Sequence, residues 1–199
     1  MGGARRIVVG ITGSTGAVYG IRLLEVLRRT EAVETHAVLS APGKRTIVEE
    51  TDRTVKDVEA LAHHVYDNRD IGAALASGSF RTHAMVIAPC SMKTASSLAH
   101  CYGNTLIARA GDVTLKEGRP LIALVRETPL HVGHLRILTS LAEIGAVVMP
   151  PMPAFYNRPR TLADIVDHTI ARVLDRLGLP QDLVPEWTGT GRHEDATED

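Results

Sequence analysis

Four short stretches carry residues whose types and spacing suit chemistry on a phosphate-bearing ligand. GITGSTGAVYG, residues 10–20, has glycines at 10, 13 and 16 with Ser14 and Thr15 between them. Glycine admits turns closed to other residues and lets a ligand come close to the backbone. PCSMKTASS, residues 89–97, crowds Ser91, Thr94, Ser96 and Ser97 at a helix start, with Met92 and Lys93 among them. Unpaired N–H groups and the helix dipole favour an anion there. VRETPL, residues 125–130, sets Arg126 beside Glu127 at the end of an apolar run, where two charges are costly unless they pair or act. PPMPAFYNRP, residues 150–159, is proline-rich and presents Phe155 and Tyr156, an aromatic wall bearing one hydroxyl.

A nucleoside triphosphate, a dinucleotide or a flavin mononucleotide can use such a glycine turn. No Gly-Lys-Ser/Thr closes it, so it is not a P-loop, and its spacing is G-x-x-G-x-x-G rather than G-x-G-x-x-G. Dinucleotide sites usually place an acid near the end of the second strand. Here that strand ends Leu39-Ser40-Ala41, which favours a smaller phosphate-bearing cofactor over NAD. A plain tight turn, a plain Ser91 N-cap and simple packing of Tyr156 are the structural alternatives. His131 and His134 stand three apart on a helix and can share a metal, but no third ligand accompanies them, so they read as ordinary helix residues.

The elements that must position these residues alternate along the chain. Strands are predicted at 6–11, 35–40, 84–90, 120–125 and 146–150. Helices are predicted at 17–29 (Val18, Ile21, Leu24 and Leu27 on one face), 43–51, 54–65, from Ser91, 105–117, 130–145 and 161–178. The last starts at Thr161 or its neighbour and stops at Gly178. Residues 66–79 read as an irregular connection. This order argues for an α/β fold, a mostly parallel sheet with helices on both faces. Ligands in such folds bind beyond the carboxyl ends of the strands, where strand order reverses. A single domain over 1–187 is expected, with a polar, disordered tail at 188–199.

With 199 residues the chain is long enough for a sizeable core, and its net charge of −1 gives no argument for nucleic acid or an anionic membrane. No apolar run reaches a bilayer-spanning length, and the N-terminal segment lacks a clear cleavage site; a cytoplasmic protein is expected. Cys90 and Cys101 show no CxxC spacing and read as two buried or partly buried thiols.

Taken with APCSMKTASSLAH and GAVVMPPMPAFYNRPRTLADIVDHTIARVLDRLG, the opening loop resembles the UbiX-like flavin prenyltransferases, in register over about residues 5–187. The resemblance implies a flavodoxin-like or Rossmann-like fold and a dodecamer. It also implies transfer of a dimethylallyl group from dimethylallyl monophosphate to reduced FMN. The product, prenylated FMN, would serve a UbiD-like decarboxylase. Carried over by motif, Gly13, Ser14, Thr15, Ser40, Ser91, Met92, Lys93, Thr94 and Arg126 contact FMN. Arg109, Lys116, Tyr156 and Arg172 hold the dimethylallyl phosphate, some across a subunit interface. Glu50 and Glu127 resemble the acid–base carboxylates, with Thr15 near the flavin N5, and Trp187 a C-terminal aromatic that approaches the site. Two positions depart from the pattern: Thr15 replaces a common Ser, and Gly118 replaces a common Arg.

The chemistry suits these types. An allylic phosphate must leave, and the sequence has no aspartate-rich metal motif, so fixed cations and a phenol are expected to stabilise the leaving charge without metal. Bonding to flavin N5 and C6 requires one proton to move, work for Glu127 with Glu50. Two rivals remain: a cysteine-decarboxylase-type flavoprotein, disfavoured by PPMPAFYNRP where those carry a Pro-x-Met-Asn type loop, and an FMN-binding accessory subunit of an aromatic acid decarboxylase.

Overall fold

A computed structural model describes residues 3–186; Trp187 and the tail 188–199 lie outside the described residues. The chain runs β1 (Arg5–Ile11), α1 (Ala17–Arg29), β2 (Val33–Leu39), α2 (Ala41–Glu50), α3 (Val55–Glu59) and β3 (His64–Asp67). It continues through β4 (Ala84–Cys90), α4 (Met92–Ala99), α5 (Leu106–Lys116), β5 (Leu121–Val125), α6 (Val132–Glu143), β6 (Val147–Val148) and α7 (Leu162–Leu177). All strand pairs are parallel, in the order β3-β2-β1-β4-β5-β6. That is the doubly wound order, whose direction reverses between β1 and β4.

β4 and β5, and β1 beyond Arg5 and Arg6, are apolar because both their faces are covered. Ile7, Val9 and Ile11 of β1 face one cluster with Leu24 of α1, Ile47 of α2 and Ile170 of α7. Val8 faces the other, with Leu98 of α4, Ile107 of α5 and Leu141 of α6. In α1, Ile21, Leu24 and Leu27 are buried as expected, but Val18 is 41% exposed, because the buried face runs through Ala17, Gly20, Ile21 and Leu24 and leaves Val18 beside it.

Local chemistry sets the helix ends. Ser40, Ser91, Thr105 and Thr161 are N-caps whose hydroxyls accept a backbone N–H, and Thr161 forms a capping box with Asp164. Gly178 ends α7 at φ 62°, a conformation glycine adopts without strain. Three expectations need correction. Residues 54–65 are not one helix: α3 stops at Glu59, and His64–Asp67 joins the sheet as a sixth strand, inside a stretch read partly as irregular. The strand at 146–150 shrinks to Val147–Val148. Cys101 is exposed; Cys90 is buried, and burial pushes its thiol up to about 12. No helix among the described residues is long and apolar enough to cross a membrane.

Candidate functional site

A cavity of about 850 Å³ opens at the carboxyl ends of β1, β2, β3 and β4. It holds Thr12 and Gly13 after β1, Leu39 to Pro42 at the end of β2, and Ser91, Lys93 and Thr94 after β4. Its far wall is Asn104, Thr105, Ile107 and Ala108 at the start of α5. Three helix N-termini, those of α2, α4 and α5, therefore meet on one crevice at the point where the sheet changes direction. Each carries partial positive charge and unpaired N–H groups.

The loops are tied to one another. The buried Thr12 hydroxyl donates to Pro89 O (2.7 Å) and accepts from Ser91 N (2.8 Å), locking the end of β1 to the end of β4. A Cβ on Gly13 would fall 2.3 Å from Pro42 Cβ, and one on Gly43 would fall 2.5 Å from Ile11 O. Glycine at both lets the α2 start lie directly against the first loop. Asn68, just past β3, accepts Leu106 N on its carbonyl (2.8 Å) and Ile107 N on Oδ1 (3.0 Å), capping α5 from outside.

Charges around the cavity are mostly matched. Lys44 pairs with Glu59 at 2.7 Å. The Arg69 side chain hydrogen-bonds Asp67 and holds its carboxyl well below the usual range, at about 2. Lys93 has no ion-pair partner among the described residues. Ser14 Oγ is buried and makes no hydrogen bond. One unmatched cation and one orphaned hydroxyl thus stand in the two loops flanking the switch point.

Of the residues singled out from sequence, Gly13, Ser40, Ser91, Lys93 and Thr94 line this cavity, with Ser14, Thr15 and buried Met92 beside them in the same loops. Arg126 and Glu127 follow β5. Arg126 Cγ lies 4.0 Å from where a Gly16 Cβ would be, and its charge partly offsets the rise that burial imposes on the Tyr19 phenol. Glu127 is exposed, its Oε1 accepting from Thr128 N at 3.2 Å. Glu50 Oε2 accepts Gly16 N (2.8 Å) and Ala17 N (3.0 Å), so its carboxylate caps the start of α1.

The four expected phosphate holders separate. Tyr156 and Arg172 draw near each other through His168 of α7. The Tyr156 hydroxyl is 3.0 Å from His168 Nε2; burial and then the Arg172 charge lower the His168 pKa. Arg172 also pairs with Asp175. Arg109, near the cavity end of α5, pairs with Asp112. Lys116 sits in the last turn of α5, paired with Glu117, roughly 15 Å along the helix from its first turn. The structure does not bring Lys116 to its own chain's cavity.

Thr12, Asn68 and Thr105 escaped the sequence reading. Thr105 had a signal, a threonine immediately before the apolar-periodic run of α5.

A doubly wound sheet with three helix starts converging on its switch point defines a binder of phosphate-bearing ligands. The flavoprotein family profile matches residues 1–174. The flavin prenyltransferase UbiX of Escherichia coli (strain K12) is 54% identical over 187 residues, 93% of this chain and 99% of that protein. A dodecameric FMN-dependent UbiX-like decarboxylase from Escherichia coli O157:H7 superposes with a TM-score of 0.90 at 47% identity, covering 92% of this chain and 100% of that one. AnUbiX (PadA1), solved with FMN and dimethylallyl pyrophosphate, gives 0.91 at 44% identity, covering 94% and 98%. The chain belongs to the flavoprotein family and, within it, to the UbiX-like flavin prenyltransferases.

Proposed function

We propose that this enzyme transfers a dimethylallyl group from dimethylallyl monophosphate to N5 and C6 of reduced FMN, and that prenylated FMN is passed to a UbiD-like decarboxylase. The observation that carries the reading is the convergence of three helix N-termini on one 850 Å³ cavity, in a chain of this family.

The residues present fit FMN. Ser14 offers an orphaned hydroxyl, and Gly13 is exposed at the cavity wall, where it lets the start of α2 pack against the loop. Ser91, Lys93 and Thr94 offer hydroxyls and an unpaired cation at the start of α4, so the phosphate belongs between these loops. Reduced FMN, when bound, supplies the nucleophilic nitrogen and carbon.

The chain's own groups manage charge and protons. Arg109, Lys116, Arg172 and the Tyr156 hydroxyl stabilise the departing phosphate as preorganised cations and a donor. They replace a metal ion in that role, and His168 orients the phenol. Glu127, exposed and held among the described residues only by its neighbour's N–H, takes the proton released on ring closure. Glu50 keeps one oxygen on two backbone N–H groups; the other is left for proton work, while the carboxylate fixes the turn that carries Ser14 and Thr15.

Copies of the chain must meet for Lys116 to act, and Met152, Phe155 and Leu162, 72%, 73% and 81% exposed, offer apolar surface for that contact. The assembly we propose is the dodecamer known for the O157:H7 relative. The protein works in the cytoplasm.

Reduced FMN and dimethylallyl monophosphate are incubated with the protein in EDTA, and the flavin product is weighed by mass spectrometry. A flavin heavier by one dimethylallyl unit, less its displaced hydrogen, is expected. Unchanged flavin with FMN still bound would reduce the protein to an accessory binder. Activity lost in EDTA and restored by Mg²⁺ would overturn the metal-free step.

A further inference from the structure

Beyond the cavity, β2 meets its edge strand β3 in a cluster that prenyl transfer does not use. Glu34 and His36 lie two apart on β2 and so share one face of the sheet, and His64 of β3 pairs directly opposite His36. Glu34 Oε1 lies 2.7 Å from His64 Nε2 and 3.5 Å from His36 Nε2. The three ligand atoms all fall within 4.8 Å of one another. The other carboxylate oxygen is engaged by Arg6 at 3.1 Å, which leaves Oε1 to the histidines. The His36 side chain is 2% exposed, yet its Nε2 makes no hydrogen bond. Its Nδ1 is held by the Tyr66 hydroxyl at 3.0 Å, and the ring of Phe80 closes one side.

We propose that Glu34, His36 and His64 form a site for a divalent transition-metal ion of the zinc class, with a fourth position open to water.

The donor set, two imidazoles and a carboxylate, is one that zinc uses. Bonds near 2.0–2.1 Å around a tetrahedral ion place ligand atoms about 3.4 Å apart, and the two Glu34 separations, 2.7 and 3.5 Å, bracket that spacing. Tyr66 on Nδ1 is the kind of outer partner that fixes a ligating ring and directs its other nitrogen. The imidazole planes are stacked, 16° from parallel. His64, half exposed at the sheet edge, therefore turns its Nε2 toward the ion while buried His36 stays in place. The ion displaces the proton shared by Glu34 and His64, which leaves to solvent. The Arg6 charge opposes the ion, so affinity falls below that of a closed structural site.

Bound there, the ion staples edge strand β3 to β2. Asn68, which caps α5 at the cavity wall, follows that strand by one residue. Tyr66 lines the cavity as well, so it is no clean probe. His64 and Glu34 are, since neither lines the cavity.

The FMN-loaded protein is titrated with Zn²⁺ by calorimetry, then dialysed and its metal counted by elemental analysis. One Zn²⁺ per chain is expected, with a higher thermal midpoint in excess Zn²⁺. His64→Ala and Glu34→Gln each weaken binding at least tenfold, while FMN content and turnover stay unchanged. No saturable Zn²⁺ uptake would overturn the site. So would wild-type affinity in His64→Ala, or a loss of binding in His134→Ala instead, which would put the ion on the other histidine pair.

Discussion

A buried hydroxyl without a partner costs stability unless something arrives to satisfy it, and Ser14 Oγ is in that position. Ser14→Ala is expected to leave the ligand-free protein as stable as before or slightly more so. FMN affinity is expected to fall by about tenfold, the worth of one hydrogen bond to a charged or strongly polar acceptor. Thermal melts with and without FMN separate the two effects; a lower ligand-free midpoint would make Ser14 a structural residue. Glu127→Gln keeps size and hydrogen bonding but loses the titratable charge. FMN should still bind while turnover drops by about 10²–10⁴-fold, the usual contribution of a general acid or base; equal loss of FMN binding would mean a structural role beside Arg126. Single-turnover assays with a flavin titration check this. Ser14, Ser40 and Ser91 were legible because hydroxyls and glycines stood immediately after apolar runs. Thr12 was not: its hydroxyl matters because β4 brings Pro89 and Ser91 beside it, a pairing no local pattern announces.

Elements followed the sequence where burial left one choice. β1, β4 and β5 are buried on both faces, and their continuous apolar runs have no amphipathic reading. β3 failed that test. Of its residues, His64, Val65 and Asp67 are exposed and Tyr66 is half-buried, so the segment gains its strand from parallel pairing with β2 rather than from propensity. Helix packing separates glycines that look alike in sequence. A Cβ on Gly20 of α1 would lie 2.1 Å from the Ala88 carbonyl oxygen, whereas one on Gly111 of α5 would meet Leu98 Cδ2 at 2.4 Å. A strand backbone cannot yield, but a leucine tip can change rotamer. Gly20→Ala is therefore expected to destabilise by about 1–3 kcal/mol or more, through overpacking. Gly111→Ala should fall within about 1 kcal/mol of the parent, because Ala's better helix propensity offsets the squeeze. Denaturant midpoints of the two variants test the ordering, and equal losses would contradict it.

At the scale of the whole molecule, the proposed role of Lys116 calls for more than one chain. α5 begins at the cavity and ends with Lys116 in its last turn, away from it, so if Lys116 holds the phosphate as proposed, that phosphate belongs to another chain's site and an isolated chain has an incomplete one. Sequence made the residue visible as a candidate cation but gave no direction for it, because i, i+7 spacing with Arg109 reports a shared helix face and not which cavity that face meets. The prediction is complementation. Lys116→Ala and Glu127→Gln proteins, each inactive alone, are co-expressed so that both chains enter one assembly. If Glu127 and Lys116 serve a site from different chains, a random equal mixture yields roughly a quarter of its sites with both groups intact. If both act within one chain, no site in the mixture has both. Measured activity near a quarter of the parent therefore supports a shared site, and activity at the level of the separate variants removes Lys116 from the neighbour's chemistry. Charge is compatible with that role. Within its own chain Lys116 is neutralised by Glu117 at 2.5 Å, an exposed pair of small intrinsic worth that a dianionic phosphate from a neighbouring site can displace.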